Sequence, residues 1–90
     1  MKKIADIPKN ERPRERLLEK GSKYLSDVDL LAVILGKGTQ KHDVLALSRK
    51  LVRVIDEKGG FIDAGDILGI DGIGPAKATL IAATFEFVRR

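Results

Sequence analysis

Between residues 41 and 60 the chain reads KHDVLALSRKLVRVIDEKGG, and within it Val44, Leu45, Leu47, Leu51, Val52 and Ile55 recur at spacings of three and four. That stripe covers one face of an α-helix and does not fit a strand, whose faces alternate every second residue. Lys41, Arg49, Lys50 and Arg53 fall mostly off the stripe, on the solvent side, and Gly59-Gly60 ends the segment. No stretch of the sequence alternates as a half-buried strand would. Ninety residues allow one hydrophobic core, and with aromatics at 4% that core has to be built from Leu, Ile, Val and Ala. Close helix packing suits such residues. The expectation is an all-α, single-core domain of about five short helices.

The remaining helices are bounded by local chemistry. In RPRERLLEKG, Pro13 suits a first helical turn, Leu17 and Leu18 offer an apolar edge, and Gly21 is a natural stop. Ser26 then stands as an N-cap before SDVDLLAVILGKG, with Asp27 and Asp29 in the first turn as partners for the helix dipole rather than a catalytic pair, and the helix runs to about Leu35. Asp43 is the expected N-cap of the third helix, which leaves His42 in a loop and without a metal role. The last helix, PAKATLIAATFEFVRR, turns Ala78, Ile81, Ala82, Phe85 and Val88 inward. Tyr24 and Phe61 read as core plugs more readily than as base-stacking platforms. Residues 1–11 carry Pro8 and no periodicity, and are expected to form a flexible arm before a helical domain at 12–90. In RPRER, interleaved Glu11, Glu15 and Glu19 make local ion pairing the simpler account of the arginines.

Charge and residue types narrow the function. A net charge of +4 and a pI near 9.6 permit an acidic partner such as nucleic acid. The surplus is local: from residue 37 to 53, Lys37, Lys41, Arg49, Lys50 and Arg53 face a single acid, Asp43, whereas from 65 to 90 Lys77, Arg89 and Arg90 are balanced by Asp66, Asp71 and Glu86. There is no cysteine and one histidine, and the start MKKIADIPKN has no apolar run of the kind a signal peptide or a membrane span needs. A cytoplasmic protein without metal sites, membrane contact or enzymatic activity is expected, since no acid and base are paired and no nucleophile stands beside a histidine.

The stretch DGIGPAKA, residues 71–78, carries the chemistry that is left. A Gly-Ile-Gly between a short helix and a longer one lets the chain turn tightly, drops Ile73 into the core and begins the next helix at Pro75. The N–H groups around such a corner point outward from a helix N-terminus and form an anion site. With no base-reading side chain nearby, its ligand would be a backbone phosphate bound without regard to sequence. The candidate phosphate-binding residues are Gly72, Ile73, Gly74, Ala76 and Lys77. An offset of 36 residues places Gly36 and Gly38 on Gly72 and Gly74, Lys41 on Lys77 and Arg53 on Arg89, which suggests a degenerate duplication of helix, glycine turn and helix. Gly36, Lys37, Gly38 and Lys41 are therefore a second candidate site, although a plain helix end accounts for them more easily.

LGIDGIGPAKATLIAA resembles the helix-hairpin-helix motif of proteins that bind the DNA backbone, placed here at 66–90, with Ala78 and Ile81 as packing positions and Lys77 beside the phosphate. More widely, RPRERLLEKGSKYLSDVDLLAVILGKGTQKHDVLALSRKLV followed by GIGPAKA is similar to the N-terminal domain of the RadC-like family, over essentially residues 7–90. The resemblance implies a SAM-like helical fold, a tandem pair of hairpins at most, and an accessory domain that binds DNA weakly and non-specifically. It admits one cofactor, a monovalent cation held by the hairpin carbonyls. In the family this domain usually precedes a larger metalloprotease-like domain whose signature needs a His-x-His pair and a carboxylate, and its DNA-repair label says little about role. Only His42 is present here, so that domain's chemistry is not assigned to this chain. At the first turn the family pattern Arg-Thr-Gly-Thr is replaced by Gly36-Lys37-Gly38-Thr39. The rival expectation is a protein-docking domain in which the hairpin is only structural.

Overall fold

A computed structural model describes residues 12–36 and 43–90. The expected arm at 1–11, together with Lys37, Gly38, Lys41 and His42, lies outside the described residues. Five α-helices follow in chain order, α1 (Pro13–Lys20), α2 (Asp27–Leu35), α3 (Val44–Glu57), α4 (Ala64–Leu68) and α5 (Pro75–Arg89), with a 3-10 turn at Ser22–Tyr24 after α1. No strand occurs among the described residues, and the all-α expectation holds.

The helix boundaries are set by the caps visible in the sequence. Pro13 opens α1, and Gly21 closes it at φ 92°, donating its N–H to the Leu17 carbonyl. Ser26 Oγ accepts the Asp29 amide at the start of α2, and Asp43 Oδ1 accepts the Ala46 amide at 2.9 Å at the start of α3. A capping box opens α4: Asp63 Oδ1 accepts the Asp66 amide at 2.9 Å, while Asp66 accepts the Asp63 amide at 3.1 Å. These bonds satisfy N–H groups that helix geometry leaves without partners.

Helices α2 and α3 pack chiefly on each other, as do α4 and α5, so the molecule consists of two consecutive helix pairs. The α3 stripe supplies the centre of the shared core, where Leu47 and Leu51 are fully buried against Leu31, Leu35, Ile67, Ala78 and Ile81. Ser48 is buried among them and donates its hydroxyl to the Val44 carbonyl at 2.7 Å, so no polar atom is stranded there.

Four side chains depart from expectation. Tyr24 and Phe61 do not plug the core: they are 65% and 75% exposed, because both sit in connectors that run over the surface. Phe61 instead lies under the Arg89 guanidinium, 5.4 Å from its centroid. Val88, in the last turn of α5, is 76% exposed rather than inward. Arg16 does not pair within RPRER but reaches α2, binding Asp29 at 3.2 Å and the Tyr24 carbonyl. That contact holds α1 to the start of α2.

Candidate nucleic-acid interface

The connection from α4 to α5 is a succession of tight turns. The Ile70 amide donates to the Ile67 carbonyl at 3.0 Å and the Ile73 amide to the Ile70 carbonyl at 3.1 Å. Ile67, Ile70 and Ile73 are all buried, so three isoleucines at a spacing of three pin the corner to the core. Ile73 thus serves the fold twice, through its side chain and its amide, and offers neither to a ligand.

The two glycines have different standing. Gly72 is at φ 100°, in the left-handed region that side-chain-bearing residues rarely enter. Gly74, the N-cap of α5, has φ −90° and ψ −180°, an extended conformation open to any residue. A Cβ added at Gly74 would meet no atom within 4 Å. The fold therefore needs a glycine at 72 and has no steric need of one at 74.

No side chain caps α5, and Pro75 occupies its first turn. The first intrahelical bond there is made by Ala78, whose amide donates to the Gly74 carbonyl at 3.0 Å. The amides of Gly72, Gly74 and Ala76 have no hydrogen-bond partner among the described residues. Gly74 and Ala76 are also exposed, so a positively polarised patch of backbone faces solvent at the start of a 15-residue helix.

Lys77 does not simply project beside this patch. Its Nζ donates to the Leu35 carbonyl at 2.6 Å, satisfying the C-terminal end of α2 and placing a positive charge at the negative end of that helix dipole. Partial burial there holds the ammonium below the ordinary lysine range. The sequence signal for this contact was only the lysine itself, because its partner lies 42 residues away.

The same contact brings the end of α2 close to the 72–76 corner. Leu35 immediately precedes Gly36, which ends α2 at φ 76° and donates its N–H to the Ala32 carbonyl. Gly36 and the 72–76 corner thus lie within one lysine side chain of each other. A cleft between α1 and α2, walled by Arg12, Arg14, Glu15 and Gly36, continues from there. On α3, Arg49, Lys50 and Arg53 are exposed on the side away from the core. An apolar cleft of about 290 Å³ lined by Leu31, Val52, Ile55 and Phe85 also carries Asp27 and Asp56, whose charge has the wrong sign for phosphate.

Two consecutive helix pairs around one core, with a glycine corner opening the longest described helix, define a small all-α domain. The UPF0758 N-terminal family model matches residues 4–79, and the chain belongs to that family. It is 46% identical to a UPF0758 protein of Clostridium kluyveri over 98% of this chain and 40% of that protein, and 43% identical to UPF0758 protein GK2618 of Geobacillus kaustophilus over 97% and 39%. A UPF0758 protein of Methanospirillum hungatei is 40% identical over 99% of this chain and 39% of its own length. The chain therefore spans about two fifths of the curated relatives it matches, and corresponds to their N-terminal part. No solved structure matches it.

Proposed function

We propose that this domain is a sequence-independent DNA-binding module that holds backbone phosphate at the Gly72–Lys77 corner, and that in longer relatives it serves as an accessory to the remainder of the protein rather than as an enzyme. The observation that carries the reading is Gly74. Its backbone is ordinary and a Cβ there would enter open space, so no steric constraint keeps the position bare. Close approach of a phosphate to the Gly74 and Ala76 amides supplies one.

Gly72 shapes the corner, Ile73 anchors it, and Gly74 leaves it uncovered. Lys77 contributes charge while remaining bonded to Leu35, and Gly36 adds a second glycine turn beside the first. The helix-hairpin-helix description of residues 66–90 is part of this proposal. So is the monovalent cation, for which the hairpin carbonyls would be the ligands. With only about three phosphates neutralised, log K should fall with log salt at a slope near −2.7, with dissociation constants of about micromolar or weaker.

The test is Gly74→Ser. A serine fits the extended N-cap conformation, and its hydroxyl would accept a first-turn amide, so the fold should be as stable as the parent or slightly more so. The same hydroxyl would occupy the phosphate's place, weakening duplex binding about five- to tenfold, roughly the worth of one hydrogen bond. Fluorescence anisotropy with a mixed-sequence duplex reads affinity, and thermal melting reads stability. Equal affinity in the variant and the parent would reject the corner as the binding site and favour a docking domain with a structural hairpin.

A further inference from the structure

Helix α5 is apolar on two opposite faces. Ala78, Ile81, Ala82 and Phe85 pack into the core, while Ala76, Leu80, Ala83 and Phe87 form a second stripe on the far side of the helix. Leu80 is 49% exposed and Phe87 80% exposed, and Ala76 and Ala83 are exposed as well. Their spacings of four, three and four are those of a coiled-coil seam. A second apolar stripe left in solvent is a surface for a partner.

The order of sizes along the stripe specifies what covers it. In an antiparallel pair related by a two-fold axis passing between residues 81 and 82, Leu80 of one copy falls opposite Ala83 of the other, and Ala76 falls opposite Phe87. Each layer then sets a large side chain against a small one, twice over. A parallel pair would stack Phe87 on Phe87 and Ala83 on Ala83, leaving a bulge beside a gap. Charge agrees with the antiparallel arrangement. The basic end of α5, where Arg89 and Arg90 share the single acid Glu86, comes close to Asp71 on the approach to the partner's corner, and the two helix dipoles oppose.

We infer that the exposed face of α5 is a homodimer seam, occupied by α5 of a second copy of this chain in antiparallel register. The contact is short, under two heptads, and the dimer is accordingly weak. With α5 about 22 Å long at 1.5 Å per residue, the two glycine corners stand at opposite ends of the pair.

Sedimentation equilibrium of the chain from about 10 μM to about 1 mM, the range in which weak pairs dissociate, tests this. The mass should rise from 9.9 kDa toward twice that value with concentration. Leu80→Glu/Phe87→Glu, at exposed positions that leave the fold intact by circular dichroism, should remain monomeric throughout. The exchange Leu80→Ala/Ala83→Leu keeps a large and a small residue in the same layer and should retain dimerisation, whereas Ala83→Leu alone should weaken it at least about fivefold. A monomer at millimolar concentration, or a dimer that survives the double glutamate change, overturns the seam. The register is overturned if the exchange abolishes the dimer that the parent forms.

Discussion

Gly72 and Gly74 look alike in the sequence, and the backbone separates them. At φ 100°, Gly72 has a conformation that any Cβ would strain, so Gly72→Ala should lower stability by about 1–2 kcal/mol in urea unfolding. A variant as stable as the parent would show that the corner is not built on that conformation. Gly74 has no such constraint, and the proposed phosphate contact is what would keep it bare. Reading Gly-Ile-Gly as a corner around a buried Ile73 was possible from the sequence, because a lone apolar residue between glycines has few other uses. Which glycine the fold needs was not, since φ is set by where the flanking isoleucines are anchored. Lys77 was equally illegible: the Leu35 carbonyl it bonds is close only in space. Tyr24 and Phe61 show the converse error, where scarcity of aromatics suggested burial but their place in connectors decided against it.

Elements were read more successfully than single contacts, because caps and apolar periodicity are local. Pro13, Ser26, Asp43 and the Gly59-Gly60 pair mark boundaries that the helices respect. The short α4 is the exception in how it is held: its capping box joins Asp63 and Asp66, two acids that composition would set apart as mere negative charge. The hydrogen bond from the Asp63 amide, helped by Lys58 at 3.5 Å, holds the Asp66 carboxyl below its ordinary value of 3.8. The stabilisation is accordingly present in full above about that value and is lost as pH falls through the lowered one, because the unfolded chain then binds the proton first. In amide NMR spectra taken from about pH 5 down to about pH 2, the α4 resonances Asp66 and Ile67 should broaden in the parent and far less in Asp66→Asn, which cannot take up that proton. Identical behaviour in both would remove the box as the reason α4 holds its end of the corner. Glu86, bonded to Arg89 and Arg90, is lowered too but acts at the far end of α5, so the two effects separate by residue.

At the scale of the whole molecule, the helices associate in the order in which the chain makes them. Helices α2 with α3 and α4 with α5 form successive pairs, and Lys77 in the first turn of α5 bonds the Leu35 carbonyl at the end of α2. All-α architecture followed from a stripe with helical spacing and a core short of aromatics. The relation between the pairs did not, because it depends on tertiary contacts that no local pattern encodes. The account rests on the amides at the start of α5 meeting a phosphate. A two-dimensional amide NMR titration with a short mixed-sequence duplex, at low and at raised salt, reads those amides directly. The account predicts shifts centred on Gly72, Gly74, Ala76 and Lys77 that fade as salt rises, with Gly36 following if the neighbouring turn takes part. If those amides stay still at low salt and millimolar duplex, the corner does not bind DNA and the proposed function is wrong.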